Sequence, residues 1–122
     1  MMDRETWLRR ILDATRDLAD ERYQERVWVR DEGPEVDSST EALIRLMDDY
    51  DLPTFIAEAA DKTWVSNDQL AALRRLDAAL ARYAASGQGG DDAARIASPE
   101  WRRMRELAAA ALDTFATRAA SG

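Results

Sequence analysis

The chain predicts an all-α fold, a single-domain bundle of five to six helices. Apolar residues recur at three- and four-residue spacing along most of its 122 residues, and Ser or Asp stands in cap position before most of those stretches. Val27-Trp28-Val29 is the one piece with strand character, and no second such piece is present to pair with it. A chain of 122 residues is long enough to bury a real core and short enough to be one domain.

Asp3 caps a first helix whose inner stripe is Trp7, Ile11, Leu12, Ala14, Thr15 and Leu18. Asp20 caps a shorter second helix carrying Tyr23, Val27 and Trp28 inward. Arg30 to Asp37 reads as a loop, with Gly33-Pro34 as its turn signal. Ser38 with Glu41 three residues on is a capping-box pattern for a third helix, striped by Leu43, Ile44, Met47 and Tyr50 with Leu46 beside them. Pro53 breaks that helix, and Phe55, Ile56, Ala59 and Ala60 mark a short fourth. Trp64-Val65 tucks under the next element. Ser66 and Gln69 form a second capping-box pattern before the clearest stripe of the chain, Leu70, Leu73, Leu76, Leu80 and Tyr83. Residues 86–92, with three glycines, read as a flexible connector, and Ala93 to Ala97 as one further turn. Ser98-Pro99-Glu100 is a strong start for the last helix, whose inner stripe is Trp101, Met104, Ala108, Ala111, Leu112 and Phe115. Its end, 118–122, is expected to fray.

Composition excludes whole classes of chemistry. There is no cysteine and no histidine, so disulfides, thiolate zinc sites, cysteine nucleophiles, Ser-His-Asp triads and histidine metal sites are all absent. Ser38, Ser39, Ser66 and Ser98 all read as helix caps, with no base to activate them. The glycines of the connector lack the Lys-Ser/Thr of a phosphate loop. No apolar run approaches the ~18 residues of a membrane span, and the charged start lacks the pattern of a signal peptide. A cytoplasmic protein without cofactor is expected.

Charge is unevenly placed. Residues 1–30 balance seven Arg against seven acids, 31–69 hold eleven acids against Arg45 and Lys62, and 70–122 hold eight Arg against six acids. The middle third is therefore −9 in a chain of −7. That asymmetry argues for a partner with a basic surface and against nucleic acid, whose phosphates need a basic footprint. A solvated acidic face that aids solubility is the plainer reading.

Asp48, Asp49 and Asp51 are three carboxylates within four residues at the end of a helix, where the backbone dipole disfavours them. As a calcium loop they fail: counting from Asp49, Thr54 stands where glycine is needed and Ala60 where glutamate is needed. No metal is expected there. Asp17-x-x-Asp20-Glu21 and Glu58-x-x-Asp61 are crude counterparts of the magnesium-binding pairs of all-α nucleotide pyrophosphatases, the alternative enzyme reading. Trp7, Trp28, Trp64 and Trp101 serve either as interface anchors or as core aromatics with their indole N–H satisfied at helix ends. The candidate partner contacts are Asp31, Glu32, Glu35, Asp37, Asp48, Asp49, Tyr50 and Asp51, with Trp64 as an anchor.

Tyr23-Gln24, Val27-Trp28, Gly33-Pro34, Asp48-Asp49, the leucine-rich Leu70 to Leu80 and Pro99-Glu100-Trp101 together resemble an uncharacterised family of short, acidic, helical bacterial proteins. Members of this general type resemble the immunity proteins that protect a bacterium from its own toxins. The resemblance supplies no catalytic residue. It mainly argues against an enzyme; with the charge asymmetry, the leading reading is a non-enzymatic module whose acidic middle third binds a basic protein, with a toxin as the sharpest case. A structural homodimer formed through an alanine-rich helix face is a third reading.

Overall fold

The computed structural model describes residues 3–87 and 90–121, and among them every regular element is helical. Helix α1 runs Arg4–Ala19 and α2 Glu21–Tyr23, the latter continuing as a π-helical stretch over Gln24–Val29. Helix α3, Ser39–Ile44, likewise continues as a π-helical turn over Arg45–Asp49. Then come α4 (Leu52–Lys62), α5 (Asn67–Ala85), α6 (Asp92–Ala97) and α7 (Pro99–Ser121). Val27-Trp28-Val29 is thus helical, as the lack of a partner strand requires.

The helix starts follow their caps. Asp3 accepts from the Thr6 amide at 2.8 Å, Asp20 from Tyr23 at 3.0 Å, Ser38 from Glu41 at 3.1 Å and Ser98 from Trp101 at 3.1 Å. Ser66 and Gln69 make both halves of the capping box, at 3.1 and 2.8 Å. Two expectations need correcting. Ser39 is no cap: it is the first residue of α3, and its hydroxyl donates to Asp92 of α6. Pro53 does not end α3, which closes when the Tyr50 amide donates to the Arg45 carbonyl at 2.8 Å; Pro53 stands in the first turn of α4, where its missing N–H is harmless.

The stripe of the third helix also differs from its expected register. Ser39, Ala42 and Leu46, spaced three and four apart, take the inward face. Ile44 lies two residues from each of its buried neighbours, about 200° around the helix, and so is 44% exposed.

One core serves all the helices. α7 lies against both α1 and α5, and α4 packs on α5 and on the end of the third helix. Ala108 and Ala111, both fully covered, let α7 approach its neighbours closely. Ile11, Leu18, Leu73, Leu76, Leu80 and Met104 fill the centre. Aromatic rings form two runs. Tyr23, Trp28, Trp101 and Tyr83 meet edge to face in sequence, with centroids 5.4–6.1 Å apart. Trp7, Phe55 and Trp64 make the second, at 5.2–6.3 Å.

The expected connector 86–92 includes Gln88 and Gly89, which lie outside the described residues, as do the side chains of 117–121 and Gly122, on which the expected fraying falls.

Candidate partner-binding surface

The acidic middle third is built around a carboxylate that does not reach the surface. Asp37, at the end of the loop, has a side chain only 3% exposed. Its Oδ2 accepts from the Tyr23 hydroxyl at 2.8 Å and the Trp28 indole at 3.0 Å, and its Oδ1 from Arg45 at 2.9 Å. Burial alone would push its pKa up, but these three donors outweigh burial and hold it below the usual 3.8. Asp37 was expected to be a partner contact, and the correction is physical. A carboxylate with three donors already on it ties the second helix to the third and has no face left for a partner.

The remaining acids fall into two groups. Some are already engaged. Glu35 receives both guanidinium nitrogens of Arg26, at 3.1 and 2.9 Å, which draws its pKa down to about 2. Glu32 pairs with Arg30 at 3.0 Å across an exposed turn. Asp51 takes a left-handed backbone (φ 48°) and caps α4, bonding the Thr54 hydroxyl at 2.8 Å. Its charge therefore sits at the N-terminus of the next helix, where the dipole favours it, and not at the C-terminus of the last. Lys62 pairs with Glu58 at 2.6 Å.

Asp31, Glu41, Asp48, Asp49, Asp61 and Asp68 form the second group. All are exposed, and among the described residues none of their side chains has an ion-pair or hydrogen-bond partner. Asp48 and Asp49 close the short π-helical segment, at a helix end where the backbone dipole disfavours acids.

Tyr50 follows Asp49 directly and Trp64 is joined to it through Trp7, and both are half-buried. The Tyr50 carbonyl accepts from the Trp7 indole at 2.6 Å, so the turn after Asp49 is pinned to α1. Trp64 packs on Trp7 and Phe55, with Lys62 5.3 Å and Arg4 6.0 Å from its ring centre. Trp7, Trp28 and Trp101 each donate the indole N–H inside the protein, the arrangement of core aromatics.

Compared with known proteins, the chain matches no family model, no curated protein and no solved structure.

Of the carboxylates of the magnesium-enzyme reading, Asp61 is exposed with no ion pair or hydrogen bond to its side chain among the described residues, and three others are engaged. Asp17 faces Arg45 at 3.5 Å, Asp20 caps α2 and Glu58 holds Lys62. Among the described residues no group of three or more acids is placed to hold a metal ion.

Two polar centres carry no signal in the sequence. Gln24 is fully buried: its amide donates to the Asp17 and Leu18 carbonyls at 2.9 and 2.8 Å, and its oxygen accepts from Trp101 at 3.1 Å. Asp92 accepts from both the amide and the hydroxyl of Ser39, while Arg95 donates to Ser39 and Thr40 at 3.0 and 2.8 Å. A lone glutamine, or an Asp and an Arg in a short helix, resembles any surface residue until the partners, more than 50 residues away in the second case, are known.

Proposed function

We propose that the chain is a non-enzymatic binding module that docks a basic protein surface on the acidic face around Asp48 and Asp49. An immunity protein covering the nucleic-acid groove of a toxin is the sharpest form of this reading, and the resemblance of the sequence to small acidic bacterial proteins supports it. The single observation that carries it is that Asp48 and Asp49 project, unpaired among the described residues, from a helix end that disfavours them. The dipole disfavours acids there, and their lack of a side-chain partner among the described residues supports a role at a partner surface.

Asp31 adds an exposed carboxylate, Glu32 and Glu35 are already paired with Arg30 and Arg26, and Trp64 supplies a half-buried aromatic ring. Opposed fields speed encounter, and a few desolvated anchors then set the dissociation rate. Asp37 contributes by holding the loop, not by touching the partner.

The test compares the wild-type chain with Asp48→Asn/Asp49→Asn as bait in lysate of the native host, washed at low and then high salt. One basic protein held by the wild type, released by salt and missed by the variant supports the reading. Identical proteins retained on both baits would sink it. Asp51 is left unchanged because its carboxylate is already engaged at the N-terminus of α4.

A further inference from the structure

Arg45 lies between two carboxylates that are unequally served. Its Nη2 meets Asp37 at 2.9 Å and its Nη1 meets Asp17 at 3.5 Å. Asp37 has two further donors and is covered, whereas the Asp17 side chain is 35% exposed and has this one long contact. One guanidinium therefore serves two acids, and the trio carries a net negative charge.

We propose that Asp17 is a proton-responsive latch: as a carboxylate it shares Arg45 with Asp37 and ties α1 to the turn that carries Asp48 and Asp49, and on taking up a proton it leaves Arg45 to Asp37 alone. The step is the transfer of one proton from water to a side-chain oxygen of Asp17. No other bond is made or broken.

The surroundings favour that proton on Asp17. From its own helix Asp13 faces it, from the cap of α2 Asp20, and from the loop Asp37, all negative. Arg16 is held by Asp13 at 2.5 Å, the Tyr23 hydroxyl is committed to Asp37, and Arg105 of α7 reaches Glu21 and Gln24. Half-burial first, then these acids, push Asp17 from 3.8 to about 6 in spite of Arg45, while Asp37 is held low. Of the two acids on one guanidinium, Asp17 takes the proton first.

The consequence travels through Arg45, whose residue opens the π-helical turn. The Arg45 carbonyl accepts from the Tyr50 amide, and the Tyr50 carbonyl accepts from the Trp7 indole. The turn is thus tied to α1 at both ends, by Asp17–Arg45 and by Trp7–Tyr50, and protonation removes the first tie. The latch is a property of the chain alone. Only its consequence for docking rests on the acidic-face reading: a basic partner favours the carboxylate, so its binding weakens as pH falls through about 6.

The experiment is a carbon-detected NMR titration of the full chain without partner, from neutral to about pH 4. The Asp17 carboxyl is expected to titrate near 6, with the amides of residues 45–50 moving at the same midpoint and losing exchange protection. Asp17→Asn is expected to abolish that amide transition. An Asp17 midpoint near 3.8, amides that ignore it, or an amide transition that survives Asp17→Asn each overturns the latch. If Asp17→Asn fails to fold, the wild-type titration decides by itself. Asp48→Asn/Asp49→Asn keeps the titration even where the docking reading fails, so the two ideas fall separately.

Discussion

Gln24 and Trp101 stand 77 residues apart in the chain and meet in the core, the indole N–H donating to the glutamine oxygen at 3.1 Å. The same glutamine closes the end of α1 through the Asp17 and Leu18 carbonyls. One neutral side chain thus joins α1, the π-helical part of the second helix and α7. Gln24→Ala leaves these groups buried and unpaired, and is expected to lower unfolding free energy by about 3 kcal/mol. Urea denaturation with an unchanged slope checks it; a loss under about 1 kcal/mol speaks against the hub.

Asp37 and Glu32 separate interior from rim. Asp37→Ala strands Arg45, Trp28 and Tyr23 together and is expected to destabilise by about 3 kcal/mol. Glu32→Ala touches an exposed pair and is expected to stay within about 0.5 kcal/mol. Equal effects from the two, in the same denaturation assay, would mean that Asp37 does not organise the loop.

Asp51 is a cap in a left-handed conformation. Asparagine tolerates that backbone and also caps, so Asp51→Asn is expected to be near neutral. Asp51→Ala loses the cap and keeps the strain, lowering stability by about 1–2 kcal/mol. Thermal unfolding of the pair reads the difference.

Thr63 ends α4 at φ 52°, a position that suits glycine and strains a β-branched residue. Thr63→Gly is expected to raise stability by about 0.5–1 kcal/mol, the relief of strain exceeding the added chain entropy. A lower melting temperature for the variant would contradict it.

Asp17 and Asp37 act oppositely with pH. A folded value raised from 3.8 to about 6 means that Asp17 contributes stability fully below 3.8, lost as pH rises through 6. Asp37 is lowered, so its contribution is present above 3.8 and lost as pH falls through its folded value, with exposed Glu35 adding in the same direction. Urea unfolding across pH is expected to peak just above 3.8 and to decline as pH rises toward about 6. Asp17→Asn is expected to flatten the neutral side of that profile. Stability that climbs steadily to neutral pH in the wild type would refute the assignment.

The fold was legible where signals are local. Asp3, Asp20, Ser66 and Ser98 mark helix starts because a cap and its amide lie three residues apart. Leu70 to Tyr83 and Trp101 to Ala111 show their buried faces by spacing alone. The third helix was harder, since Leu43, Ile44, Leu46 and Met47 offer more than one stripe, and only packing decides that Leu46 goes inward. The surface was legible as charge and not as geometry. Asp31, Asp37, Asp48 and Asp51 look alike as letters, yet one is buried by Tyr23, Trp28 and Arg45, one turns to cap α4, and two stand free of partners among the described residues. Those fates depend on contacts beyond the immediate sequence or on a left-handed backbone at a non-glycine residue.

Lys62 is the single lysine of the chain, held by Glu58 and lying over Trp64. Amine-directed reagents therefore have one side-chain target. A dye placed there reports on the neighbourhood of Trp64, a short crosslinker captures whatever settles nearby, and a lysine-specific protease has one bond to attack, that between Lys62 and Thr63. The molecule thus carries a built-in address within the acidic middle third of its sequence, readable by chemistry without any added tag.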